Sequence, residues 1–179
     1  MTSNTDATKY YSNKQERMIA RSLGWYCVTG SGATACRPGD IYNDNWLGEC
    51  KTHVTIQNQI RFYWDHWAKI NLEATSKLRH PALFVDDGSQ QYSSTYVLCH
   101  PLAYMNKFML GNASFRSGKT SLSIRVKDIE SAYEVSKTLR QSRPELSDKC
   151  IAFSVKFHDI SMIVVPLEEF KSAFGDYVC

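Results

Sequence analysis

The segment Pro38-Gly-Asp-Ile-Tyr-Asn-Asp-Asn-Trp-Leu-Gly-Glu-Cys-Lys51 holds two acids and a lysine where a short hairpin brings them together. With Asp44-Asn45 as a two-residue turn, Tyr42 faces Leu47, Ile41 faces Gly48 and Asp40 faces Glu49. The two carboxylates then share one face, with Cβ atoms about 5 Å apart. Lys51, two residues past Glu49, lies on that face too. Opposed like charges destabilise a strand pair unless something compensates them. A divalent cation does so, and hard carboxylate oxygens without thiolate or imidazole suit Mg²⁺ or Mn²⁺. Glu16 is a third carboxylate. Ile19, Ala20 and Leu23 follow it at helical spacing, so it lies on an apolar helix face. A carboxylate there must be paired or metal-bound. Carboxylates and a lysine around Mg²⁺ form a set that activates water against a phosphodiester.

The elements that must position these groups follow from spacing and breakers. Ser12-x-x-Gln15 reads as a capping box that opens a helix running to about Leu23, and Gly24 ends it. Trp25–Val28 reads as a strand and residues 29–38, rich in Gly and small side chains, as a loop. Asp40–Tyr42 and Trp46–Lys51 read as the hairpin strands. A helix is predicted from about Gln57 to Lys77, since Ile60, Tyr63, Trp64, Trp67, Asn71 and Ala74 recur at helical spacing. Arg61, Asp65, Lys69, Glu73 and Lys77 would form its solvated stripe. Pro81–Asp86 and Thr95–Cys99 are predicted strands around a turn, and Pro101–Leu110 a helix. A loop over Gly111–Gly118, a strand over Leu122–Val126 and a helix over Asp128–Gln141 follow. Strands over Ile151–Phe157 and Ile160–Val165 and a helix over Leu167–Phe174 complete the chain. This order predicts an α/β or α+β sandwich on a mixed sheet.

The residues Gln15-Glu-Arg-Met-Ile-Ala, Gly24-Trp-Tyr-Cys-Val-Thr-Gly-Ser-Gly-Ala, Pro38-Gly-Asp-Ile and Leu47-Gly-Glu-Cys-Lys51, in that order, resemble the PD-(D/E)xK nuclease superfamily. Within it the chain is most similar to the archaeal-type Holliday junction resolvases. The resemblance spans roughly residues 12–86. Pro38-Gly39-Asp40 replaces the family's adjacent Pro-Asp, and Cys50 replaces an apolar residue between Glu and Lys. The resemblance implies a restriction-endonuclease-like core, a mixed central sheet flanked by helices, over 1–99. Residues 100–179 would be a β-α-β-β-α extension, within the same domain or beside it, for dimerisation or DNA contacts. It implies Asp40, Glu49 and the Cys50 backbone carbonyl as metal ligands, with Glu16 a further ligand, direct or through water. Lys51 would be the catalytic lysine. Ser31 would sit near the scissile phosphate, with Thr29 as second choice. Gln59 would match a helix-borne Gln, with Gln57 as the alternative. The implied activity is Mg²⁺-dependent DNA cleavage on branched DNA by a homodimer. The alternatives are a restriction- or repair-type enzyme on plain duplex, or a catalytically silent DNA-binding module.

Composition sets outer bounds. At 179 residues and net charge +3, the chain fits one domain or one domain with an extension. Between Pro101 and Lys149 nine basic residues stand against five acidic ones, which suits a polyanion partner or a solvated surface. None of the six cysteines forms a C-x-x-C pair, and no histidine sits at zinc-finger spacing. The first fourteen residues hold no apolar stretch, so reduced thiols in a cytoplasmic protein are expected. Ser117-Gly-Lys-Thr120 lacks the upstream glycine of a phosphate loop, because Ala113 stands there. Trp64 and Trp67 read as core, and Asp86-Asp87 as a turn at a strand end.

Overall fold

The computed structural model describes residues 4–28, 39–101 and 106–176, with side chains from residue 7 onward. Four α-helices and eleven strands make a mixed α/β fold among these residues. Helix α1 is Asn4–Leu23, followed by β1 (Tyr26–Cys27), β2 (Ile41–Tyr42) and β3 (Trp46–Lys51). Next come β4 (Gln59–Tyr63), α2 (Trp64–Ser76), β5 (His80–Asp86) and β6 (Thr95–Cys99). Then follow β7 (Phe108–Gly111), β8 (Arg116–Ser117), β9 (Ser121–Arg125) and α3 (Val126–Ser142). The chain ends in β10 (Cys150–Phe157), β11 (Ile160–Pro166) and α4 (Leu167–Phe174).

Eight strands form one sheet in the order β1-β2-β3-β5-β6-β11-β10-β7. The β3–β5 and β7–β10 pairs are parallel and the others antiparallel. Because β11 inserts beside β6, residues after 100 extend the same sheet that carries β3. A second, three-stranded antiparallel sheet runs β4-β9-β8. Alternation gives the large sheet two apolar faces. On one, Ile19 and Leu23 of α1 and Phe170 of α4 cover Trp25, Trp46, Cys50 and Phe84. On the other, Trp67 and Ile70 of α2, Ile129 of α3 and the small sheet's Ile60, Phe62 and Leu122 cover Leu47, Leu83, Leu98 and Phe153. Each fully buried side chain of this size contributes roughly 1.5–3 kcal/mol. The buried carboxylate of Glu169 ties α4 to its neighbours. It accepts hydrogen bonds from Tyr133 Oη and Arg140 Nη1, each at 2.8 Å, and from the Ile151 N–H at 3.0 Å.

Four sequence expectations are corrected. Helix α1 starts at Asn4, so Ser12 lies inside it, and the Ser12 hydroxyl bonds Glu16 instead of capping. The helix expected from Gln57 starts at Trp64, because residues 59–63 are strand. Ile60 and Phe62 point inward at a period of two and pair with Ile124 and Leu122 of β9. That distant partner outweighs the local helical pattern. Within the segment expected as a Pro101–Leu110 helix, Phe108–Leu110 belong to β7, held parallel to β10, and residues 102–105 lie outside the described residues. The expected 111–118 loop contains β8. The expected 29–38 loop lies outside the described residues. Among the described residues no helix is long and apolar enough to cross a membrane. Cys27, Cys50, Cys99 and Cys150 are free thiols.

Candidate active site

β3 lies between β2 and β5 and carries Glu49, Cys50 and Lys51 at its C-terminal end. Its pairing with β2 has the register the hairpin predicts, Ile41 with Gly48 and Tyr42 with Leu47. Asn43 closes the turn. Its N–H donates to Trp46 O at 3.1 Å, and its Oδ1 accepts the N–H groups of Asn45 at 3.0 Å and Trp46 at 2.8 Å. Gly48 is required here, since a Cβ would fall 2.7 Å from the Phe84 ring and 2.9 Å from Ile41.

Beyond Ile41 the ladder changes character. The Asp40 N–H donates to Gly48 O at 2.8 Å, and Asp40 Oδ2 accepts the Cys50 N–H at 2.8 Å. The side chain thus continues the pairing in place of backbone. The N–H and C=O of one strand residue face the same neighbour, so the Cys50 carbonyl is aimed at the edge where Asp40 lies. Gly39, at φ +72°, turns the chain into this position and donates its N–H to Glu73 Oε2 at 3.1 Å.

Glu49 is 3% exposed and meets two cations. Lys51 Nζ is 2.7 Å from its Oε1, and Lys69 Nζ lies 3.2 Å from Oε1 and 3.3 Å from Oε2. Burial alone would raise the Glu49 pKa, but Lys51 and then Lys69 outweigh it and hold the group below its ordinary value. Lys51 responds in the opposite sense. Burial disfavours its charge, yet Glu49 pushes its pKa up. Among the described residues Asp40 has no such ion pair. Burial, then the Glu49 charge and more weakly Glu16, push its carboxyl from 3.8 up to about 7, against the smaller help of the Cys50 N–H and Lys51. The Cys50 thiol is fully buried, pushed well up by burial and by the surrounding acids, and stays protonated.

The structure therefore gathers Asp40, Glu49, Cys50 and Lys51. Glu16 reaches this group from α1, on the Cys50 face of the sheet, where Ser12 Oγ donates to its Oε1 at 2.9 Å. Its charge is felt by Asp40 and Cys50. Gln59 is placed differently from the expectation. It sits on β4, and its Oε1 accepts from Arg61 Nη2 at 2.8 Å. Gln57 lies between strands and donates to Thr55 O at 3.0 Å. Thr29 and Ser31 lie outside the described residues.

Sequence reasoning missed Lys69 and Glu73 as neighbours of the site. Their spacing predicts a solvated stripe, but they flank the buried Trp67–Ile70–Ala74 stripe that packs α2 over β3. Gln15 was also missed. It is fully buried, and its Nε2 donates to Lys51 O at 3.0 Å, tying α1 to the end of β3. Asp86, at the end of β5, is buried and accepts from Thr52 Oγ1 at 2.6 Å and the Gly88 N–H at 2.9 Å. That is the strand-end turn role expected of it.

The donor set fits a hard cation in its chemistry. Asp40 and Glu49 repel each other beside the Cys50 backbone, and Asp40, which has no ion pair among the described residues, is the group a cation would relieve. Among the described residues no three His, Cys, Asp or Glu side chains form a ready-made metal cage. Compared with known proteins, the chain matches no family model, no curated protein and no solved structure.

Proposed function

We propose that the chain is a divalent-metal-dependent DNA endonuclease of PD-(D/E)xK type, selective for branched DNA such as four-way junctions and acting as a homodimer. One observation carries this reading. Asp40 and Glu49 lie close enough to repel at the end of paired strands, with Lys51 bound to Glu49 and, among the described residues, no ion pair on Asp40. An acid pair so arranged is destabilising in itself, and a ligand is what would justify it.

Asp40, Glu49 and the Cys50 carbonyl would hold Mg²⁺ or Mn²⁺, with Glu16 at the rim. Bound there, the ion would supply Lewis acidity and a more acidic water for attack on phosphorus. Lys51 Nζ would shift from Glu49 toward the phosphate and stabilise the negative charge that develops on it. Lys69 would then remain on Glu49 and keep that carboxylate ionised and oriented. Gln15 would fix the Lys51 backbone, and Gly39 would fix Asp40. Both strands of a junction must be cut symmetrically, and one site per chain meets that need in a two-fold dimer.

The test is cleavage of a four-way junction, a flap, a linear duplex and a single strand, with Mg²⁺, Mn²⁺ or Ca²⁺. Junction cleavage above the others, in Mg²⁺ or Mn²⁺ but not Ca²⁺, is expected. Equal cleavage of linear duplex would remove the branched-DNA part. No cleavage of any substrate would remove the enzyme.

A further inference from the structure

The three-stranded sheet has one face that the core uses and one that it does not. Ile60, Phe62, Leu122 and Ile124 point inward, each at most 3% exposed. The register sets the outer face. Gln59 lies opposite Arg125, Arg61 opposite Ser123, and Tyr63 opposite Ser121. Arg116 also pairs with Ser123, so Arg61, Ser123 and Arg116 form one row across the three strands. Strand spacing of about 4.8 Å puts the two arginine backbones about 10 Å apart. β4, β8, β9 and the turn 118–120 contain three Arg and one Lys but no Asp or Glu. Arg125 is tied to Asp128 at 2.7 Å. Arg61 bonds only neutral groups among the described residues, Gln59 Oε1 at 2.8 Å and Tyr63 Oη at 3.5 Å. Arg116 meets no carboxylate among them.

This face also leads to the acid pair. The Tyr63 ring lies 5.5 Å from the ring of His66. His66 feels the charges of Lys51, Glu49 and Lys69. Six residues of helical rise bring the end of β4 within about 9 Å of the Lys69 backbone, and Lys69 touches Glu49. That is well inside one duplex turn of about 34 Å.

We propose that the outer face of the β4-β9-β8 sheet, through Arg61 and Arg116 with Ser123, Gln59 and Tyr63, grips the sugar–phosphate backbone of DNA beside the bond held at Asp40 and Glu49. The choice of DNA rests on the nuclease reading above. The grip itself rests on the sheet face. Guanidinium groups suit phosphate geometry, and the hydroxyls and amide add uncharged donors to phosphate oxygens.

Binding of a labelled DNA duplex in Ca²⁺ tests it by anisotropy across a salt series. The double variant Arg61→Gln/Arg116→Gln is expected to bind at least tenfold more weakly, with the slope of log affinity against log salt flatter by about two. Its melting temperature should stay at the wild-type value. Arg61→Lys/Arg116→Lys should recover most of the salt slope. Lys156→Gln/Lys171→Gln removes the same charge elsewhere and should cost less than threefold. Wild-type affinity in the Arg-to-Gln variant, or an equal loss in both glutamine pairs, would overturn the proposal. So would tighter binding to an RNA duplex of the same sequence. The two readings fail separately. Undiminished cleavage by Asp40→Asn would sink the nuclease and leave the sheet face judged by binding, whereas normal binding by the arginine variant would sink the sheet face alone.

Discussion

At the residue scale the site is an electrostatic imbalance. Glu49 holds two lysines and Asp40 holds a backbone N–H. The consequence for stability has a definite sign. The folded Asp40 value, about 7, lies above its ordinary 3.8. Between those values the folded state keeps a proton that the unfolded state loses, so metal-free stability falls as pH rises from about 4 to about 7. Asp40→Asn removes that penalty. Its melting temperature without metal should exceed wild type at pH 8 by several degrees, at about 2–4 °C per kcal/mol relieved, and the gap should close near pH 4. A wild type at least as stable as the variant at pH 8 would contradict the repulsion described here. The lysines should separate by role. Lys51→Ala is expected to slow cleavage by about 10²–10³-fold, through loss of charge stabilisation. Lys69 is half exposed, so Lys69→Ala should cost less than 1 kcal/mol of stability and about tenfold or less in rate. Single-turnover cleavage and urea unfolding of the two variants check this order.

At the element scale, position depends on a few backbone facts. Gly39 has φ +72°, and a Cβ there would fall 2.8 Å from Leu47 Cδ1. Gly39→Ala should therefore cost about 1–3 kcal/mol. It should also depress cleavage beyond its effect on folding, because Asp40 is the next residue. Urea midpoints set beside rates in the folded range would show both effects. The β2–β3 hairpin was legible in the sequence, register included, because turn chemistry and alternation are local signals. So were β5, β6, β10, β11, α3 and α4. The segment 57–63 was not, since Ile60, Tyr63, Trp64 and Trp67 also satisfy a helical period. Only pairing with β9, some sixty residues away, makes it a strand. β7 fails for the same reason, being a short strand whose parallel partner β10 lies far along the chain. For the site, Asp40, Glu49, Lys51 and Glu16 could be read from residue type and spacing. Lys69, Glu73 and Gln15 could not, because their roles depend on how α2 and α1 cross β3.

At the scale of the whole molecule, one sheet joins both halves of the chain. β11 stands beside β6, and β10 and β7 continue the sheet away from β3. The exposed side chains Val135, Leu139 and Leu110 lie on α3 and β7, toward that far edge. A two-fold contact there would leave both acid pairs open to DNA. Sedimentation at micromolar concentration is expected to give a dimer, and Val135→Glu to shift it toward monomer without unfolding it. A wild-type monomer would remove the symmetric-cleavage account and leave hydrolysis at a single site. The central proposal is that Asp40 and Glu49 would hold the divalent cation that DNA cleavage by this chain requires. Its most direct measurement is cleavage of a labelled four-way junction over a Mg²⁺ titration by wild type, Asp40→Asn and Glu49→Gln, each verified as folded. The account predicts Mg²⁺-dependent cleavage by wild type, abolished by chelator, and none by either variant. Full cleavage by both variants, or activity undiminished in excess chelator, would contradict it.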